Sequence, residues 1–222
     1  LAHLVVTIDG PAASGKSTAA RLLAERIGAG FLDTGAMYRA VALAAIQAGG
    51  RGLSRVLEKT AFEFSPEPGG MIVRIDGREV TSEIRTPEVT RKVREIACLP
   101  SVRERLVRMQ RRFAAGCDRI VTEGRDQGTV VFPGADVKFY LTAAASERAR
   151  RRGVELKAAG MEADLERLRT EIAARDSADA GRAVGPLVIA AGAVIVDTTG
   201  MTVEQVVDKL VEHTRLRCSE KL

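Results

Sequence analysis

The sequence predicts an α/β fold with a five-stranded parallel sheet flanked by helices. Two observations carry this expectation. Short apolar runs alternate with longer segments of helical period along the chain, and strands separated by helices lie parallel under cover on both faces. The length also suits it, because 222 residues can build one sizeable core with a small satellite.

The first strand is Leu4–Ile8, and a helix follows over Lys16–Ile27. A short strand at Phe31–Leu32 precedes a helix over Ala36–Ala48. The rhythm then breaks. Ala61–Val80 holds short β-like pieces, a Pro/Gly-rich turn and an Asp-Gly hairpin signal inside Ile75–Glu79, which predicts a small antiparallel insertion. Thr86-Pro87 caps a helix starting near Glu88. Beyond it a helix over Val102–Ala115, a strand at Arg119–Thr122 and a strand at Val137–Leu141 restore the alternation. Two helical segments follow, Ser146–Ala158 and Ala163–Arg175, and Val194–Asp197 supplies the fifth strand. In the last helix, Val203, Val206, Val207, Leu210 and Val211 keep the 3-4 spacing of one buried face, with Thr202 and Gln205 as its capping box.

Composition narrows the function classes. No run of about 18 apolar residues occurs, so no membrane span is expected. The N-terminal LAHLVVTIDG is predicted to enter a strand directly, so no signal peptide is expected in it. Cys98, Cys117 and Cys218 are scattered without metal-ligand spacing, as reduced thiols of a cytoplasmic protein would be. The net charge of +5 asks for an anionic partner. Aromatic residues are only 4%, and no basic stretch is interleaved with stacking residues, so small phosphates are favoured over single-stranded nucleic acid.

Gly10-Pro11-Ala12-Ala13-Ser14-Gly15-Lys16-Ser17 fits GxxxxGK[ST] in full, between a strand and a helix. The glycines let successive N–H groups face one anion, and the helix N-terminus adds partial positive charge. Lys16 would reach the β- and γ-phosphates, and the Ser17 hydroxyl could ligate Mg²⁺. The loop therefore predicts a bound nucleoside triphosphate.

Switches, motors and small-molecule kinases all use such loops, so the acceptor must be read elsewhere. No guanine-reading NKxD motif is present, and no strand ends clearly in a motor-type acidic segment. Arginines, by contrast, are spread along the chain. Arg39 stands after the second strand, Arg125 after the third, Arg148, Arg150, Arg151 and Arg152 crowd one helix, and Arg175 and Arg182 flank a turn with Asp176 and Asp179. Guanidinium forks suit the task of holding two mutually repelling phosphates together.

In family order, "TIDGPAASGKST", "LDTGAMYRA", "EGRDQGTVVFP", "KFYLTA" with "ERARRR", and "RAVGPL" with "VIVDTTGMTVEQVV" resemble the bacterial cytidylate kinase (CMP kinase) family essentially end to end. The phosphate loop is generic; "LDTGAMYR" together with "GRDQGTVVFP" is specific.

The resemblance implies a P-loop kinase that passes the γ-phosphoryl of ATP to CMP or dCMP, with Mg²⁺, in pyrimidine nucleotide metabolism. It places an acceptor-binding insertion at 61–98 and a lid at 148–182. ATP contacts fall on the loop from Gly10 to Ser17 with Thr18, and on Arg151 and Arg152. CMP contacts fall on Thr34, Tyr38, Arg39, Arg103, Arg125, Asp126, Arg175, Asp179 and Arg182. Lys16, Arg125 and Arg182 are the implied catalytic groups, and a cytoplasmic monomer without nucleic-acid or membrane partners is expected. Asp126 and Thr34 would accept from the cytosine amine while Arg103 donates to the ring acceptors. Duller roles stand beside these: Thr34 as a helix cap, Asp126 as half of a structural ion pair. Three departures stand out: Arg94 where the family usually has serine, Ala178 in place of a basic residue, and Gln127 after the aspartate.

Overall fold

The computed structural model describes residues 3–49, 52–67, 70–158 and 160–221. A parallel five-stranded sheet is formed by β1 (Leu4–Asp9), β2 (Gly30–Asp33), β6 (Arg119–Gly124), β7 (Val137–Thr142) and β8 (Val194–Asp197), in the order β2-β6-β1-β7-β8. Every residue of β1 is buried, as its unbroken LVVTID run requires for the central strand of a covered sheet. It pairs with β6 from Leu4↔Arg119 to Asp9↔Gly124 and with β7 from Val6↔Val137 to Asp9↔Tyr140. The C-terminal ends of β1, β6 and β7 therefore stand side by side.

Helices close both faces. On one, α1 (Lys16–Arg26) and α8 (Val203–Cys218) bury Leu23 and Leu210 against Ile8, Val121 and Phe139. On the other, α2 (Thr34–Gln47) and α5 (Pro100–Ala115) bury Met37, Val41 and Leu106 against Leu32 and Ile120. Each such large side chain, taken fully from water, contributes about 1.5–3 kcal/mol. The capping box of α8 is present: Thr202 Oγ1 accepts from Gln205 N at 3.2 Å and Gln205 Oε1 accepts from Thr202 N at 2.9 Å.

Between α2 and α5 the chain forms α3 (Leu53–Lys59), an antiparallel sheet of β3 (Phe62–Glu67), β4 (Gly70–Ile75) and β5 (Arg78–Glu79), and α4 (Pro87–Ile96). Asp76 and Gly77, both at positive φ (50° and 78°), make the two-residue turn that joins β4 to β5. Pro68 and Gly69 of the predicted Pro/Gly turn lie outside the described residues. Thr86 Oγ1 caps α4 by accepting from Val89 N at 3.3 Å.

The remaining helices, α6 (Ala145–Ala158) and α7 (Leu165–Ala180), pack on each other around a separate small core of Ala149, Leu168 and Ile172. Helix α3 has no counterpart in the sequence reading, and α5 starts at Pro100 rather than Val102 because proline fits the first helical position. A single π-helical turn over Gln127–Val131 follows β6. No helix of the described residues is long and apolar enough to cross a membrane.

Candidate active site

The phosphate loop joins β1 to α1 with three residues at positive φ: Gly10 (152°), Ala13 (58°) and Gly15 (86°). Gly10 is required by a close approach, since a Cβ there would stand 2.0 Å from the carbonyl oxygen of Leu141 on β7. Gly15 is the N-cap of α1, and no side chain caps the helix. Its first N–H groups therefore face the loop and favour an anion. Lys16 is buried, and its Nζ donates to the Pro11 carbonyl at 2.7 Å and to Ser14 Oγ at 3.4 Å. Burial first, then repulsion from Arg125, pushes its ammonium well below the usual lysine range.

From the far side α6 and α7 hold the same loop. Arg148 donates to the Ala12 carbonyl at 3.2 Å and pairs with Asp176, whose Oδ1 accepts from Ala12 N at 3.1 Å. Arg151 donates to the Ser14 carbonyl at 3.3 Å, to Thr198 and to Glu147. Arg152, expected beside it, instead donates to Glu155 at 2.8 Å and is 45% exposed. It sits one helical position further round, which turns it off the loop. Thr18 is likewise exposed on α1.

Next to the loop lies a cleft of about 240 Å³. All nine expected acceptor residues line it, drawn from α2, α5, the two residues just after β6, α7 and the segment after α7. Thr34 opens α2 and donates to the Glu123 carbonyl at 2.7 Å; the helix cap is Asp33, which accepts from Ala36 N at 2.9 Å. The capping role considered for Thr34 thus belongs to its neighbour. Arg39 donates to Thr90 Oγ1 at 2.7 Å. Arg103 and Asp126 form a buried ion pair, and Arg103 also donates to the Tyr38 hydroxyl at 3.2 Å. Burial above all raises the Tyr38 phenol to about 12, so it stays a neutral hydroxyl.

A second acid gathers two arginines. Asp179 accepts from Arg125 Nε at 2.7 Å and pairs with Arg182. Burial works to raise its carboxyl, yet Arg125 and then Arg182 outweigh it and hold the group below the ordinary aspartate value. Arg175 is lowered to about 10, by burial first and then by Arg125. Gly185, at φ 63°, packs on the Arg103–Asp126 pair so closely that a Cβ would fall 1.9 Å from Arg103 Nη2.

Four residues that sequence reasoning missed complete the site. Glu123 is the penultimate residue of β6, is buried, and its Oε1 accepts from Ser17 Oγ at 3.1 Å. Burial, then repulsion from Asp33, raises its carboxyl. Its signal was the acidic residue closing Arg119-Ile-Val-Thr-Glu123, where the strand reading stopped at Thr122. Asp9 ends β1, and its two oxygens accept from Gln127 N at 2.9 Å and Gly128 N at 2.8 Å. Asp33 and Arg85 also line the cleft and approach each other at 3.5 Å.

The departures acquire places as well. Gln127 is buried; its Oε1 accepts from Thr122 Oγ1 at 2.8 Å and its Nε2 donates to Gln110 at 3.3 Å, so it braces β6 against α5. Arg94 is exposed on α4, where its charge adds slightly to the repulsion that Arg175 feels, while Ala178 is exposed on α7.

Ser17 Oγ and Glu123 Oε1 offer the hard oxygens that Mg²⁺ prefers. No three His, Cys, Asp or Glu side chains of the described residues gather to hold a metal ion. An ion here would need phosphate oxygens to complete its shell, which fits the way Mg²⁺ binds with nucleotides.

A family model described as Cytidylate kinase matches residues 6–216. The chain is 50% identical over 212 residues to a cytidylate kinase of Pelotomaculum thermopropionicum, covering 93% of each chain. It is 44% identical over 219 residues to one of Symbiobacterium thermophilum, covering 96% of each. Among solved structures, a gluconokinase from Sinorhizobium meliloti shares the fold at TM-score 0.51 and 16% identity, over 98% of this chain and 95% of that one.

Proposed function

The chain belongs to the cytidylate kinase family, and from that premise we propose how its own residues carry out the reaction. It transfers the γ-phosphoryl of ATP to CMP or dCMP, giving ADP and CDP or dCDP. The observation that carries the assignment of residues is the junction itself: the phosphate loop and the arginine-lined cleft share Lys16 and Ser17 as a common wall.

The loop amides and Lys16 hold the triphosphate, and Arg151 steadies the loop through the Ser14 carbonyl. CMP enters the cleft with its phosphate toward Arg39, Arg125 and Arg182 and its ribose toward Arg175 and Asp179. Its base lies against Thr34, Arg103 and Asp126. Two anions then meet between guanidinium groups, which offset their repulsion and the charge spread over the transferring group. The acceptor oxygen is already anionic near neutral pH, so no side chain is needed as general base. Ser17, with Glu123 behind it, would hold Mg²⁺, which would supply positive charge to offset that of the phosphates.

Segment 61–98 serves as the acceptor-binding insertion: Arg85, Val93 and Ala97 from it line the cleft. Segment 148–182 serves as the lid, since Arg148 and Asp176 within it grip Ala12. We place the protein in the cytoplasm as a monomer, with small nucleotides rather than nucleic acid as its partners.

Initial rates at fixed Mg-ATP with CMP, dCMP, UMP and AMP test the reading, in the wild type and in Asp126→Asn. Uracil presents an acceptor where cytosine has its amine, so the wild type should prefer CMP by about 10⁴-fold, as sites built on such a bond do. Asp126→Asn should reduce that preference by at least about tenfold with little change in ATP affinity. Equal loss on CMP and UMP would remove Asp126 from base selection.

A further inference from the structure

Helix α5 carries five arginines, and the structure puts them to different uses. Arg103 points into the cleft. Arg111 is taken up by the carbonyls of Val130 and Val131, both at 3.0 Å. Arg105, Arg108 and Arg112 stand at i, i+3 and i+7 on another face. None of these three lies within ion-pair distance of a carboxylate of the described residues, whereas Arg150, Arg152 and Arg167 on α6 and α7 all do. The Nε of Arg105 is shut off from solvent and has no hydrogen-bond partner among the described residues, a condition that buried donors seldom keep.

These arginines rim a cavity of about 300 Å³ between α5 and β3. Half of the chain's six phenylalanines collect in it. Phe62 and Phe64 lie on one side of β3 by strand alternation, and Phe113 faces them from α5. All three residues are only partly buried and pack on the edge of the main core, so the pocket is an open aromatic slot at the rim of that core.

We propose that this slot is a second nucleotide site, distinct from the cleft, for a nucleoside di- or triphosphate. The base would stack among the phenylalanine rings, an interaction every base supports through its π-face. The phosphates would take the arginine row, whose forks hold phosphate oxygens in pairs. From Arg105 to Arg112 the helix rises about 10 Å, long enough for a sugar and two or three phosphates. Among the described residues, no polar side chain other than the arginines lines the slot, so it selects for phosphate charge and an aromatic ring without choosing the base. An occupant would bridge β3 of the insertion and the helix that carries Arg103 on its cleft side.

The experiment fills the cleft first, with an analogue joining adenosine and cytidine through five phosphates. Calorimetric titration of that saturated protein follows, with CTP, ATP, inorganic triphosphate and a short oligothymidylate. One equivalent of either nucleotide should bind, with inorganic triphosphate weaker by at least about tenfold for want of stacking. The double substitution Arg108→Ala/Arg112→Ala should weaken CTP by at least about tenfold while turnover of CMP at saturating ATP stays within about twofold. Phe64→Leu keeps the apolar filling and should weaken CTP but not inorganic triphosphate. The absence of saturable nucleotide binding in the millimolar range, binding indifferent to the arginine pair, or preference for the oligothymidylate over single nucleotides would each overturn the proposal.

Discussion

Replacing Asp9 by asparagine should leave stability nearly unchanged in acid and raise it near neutrality. The Asp9 carboxylate is 3% exposed and accepts from two backbone N–H groups of the π turn. Burial drives its pKa up from 3.8 to about 6, and the Gly128 and Gln127 amides recover only part of that. At 1.36 kcal/mol for each tenfold in proton affinity, the displacement corresponds to about 3 kcal/mol. The unfolded chain sheds this proton near 3.8 and the folded chain near 6, so wild-type stability falls as pH rises between those values. Above that window the whole penalty is present; below it, the protonated acid resembles the amide in shape and charge. The substituted amide never ionises and escapes the slope. Urea denaturation of both proteins from pH 3.5 to 7.5 should therefore show curves that coincide at the acid end. They should separate to about 3 kcal/mol in favour of Asp9→Asn at neutrality, a midpoint shift of about 1–2 M. Glu123, whose carboxyl is also raised, titrates in both proteins and drops out of the difference. A difference that stays constant across the window, or a wild type more stable at pH 7, would refute the assignment of the burial penalty to Asp9.

Three further substitutions probe the site. Lys16→Ala should lower kcat by about 10³-fold or more while CMP binding, measured by calorimetry, stays within about threefold; turnover near wild type would exclude Lys16 from charge stabilisation. Glu123→Gln keeps the shape but weakens the partner of Ser17, so the Mg²⁺ concentration for half-maximal rate should rise about tenfold, and an unchanged Mg²⁺ profile would dismiss Glu123 as an ion holder. Gly10→Ala forces a Cβ to within 2.0 Å of the Leu141 carbonyl, a backbone atom that cannot rotate away. It should lower the melting temperature by about 10 °C, and a shift under about 2 °C would mean β7 yields at that point.

Much of the architecture can be read from local pattern because single elements announce themselves. The run LVVTID declares a central strand, Asp76-Gly77 a hairpin, and Thr202 with Gln205 a helix start, each through interactions a few residues apart. The loop from Gly10 to Ser17 is legible for the same reason. Glu123 was not, because its meaning depends on Ser17, 106 positions away, whose hydroxyl it receives. Asp9 lies one residue past the strand predicted at Leu4–Ile8 and gains its meaning only when the π turn folds back on it, and a π turn leaves no periodic trace in five residues. Arg152 shows what a cluster hides: four arginines look uniform in sequence, yet helical geometry sends Arg148 and Arg151 to the loop while Arg152 pairs with Glu155. Helix α3 is seven residues long, too short for its apolar spacing to stand out.

The pairing of Asp179 with Arg125 and Arg182 bears on the speed with which such a cleft can be put to use. A free arginine wanders among many rotamers, and stilling it costs up to about 2 kcal/mol of entropy. Here one carboxylate already narrows the wandering of two, so less remains to be lost when the cleft is filled. A nucleotide drawn into such a cleft would spend less of its binding energy on ordering side chains.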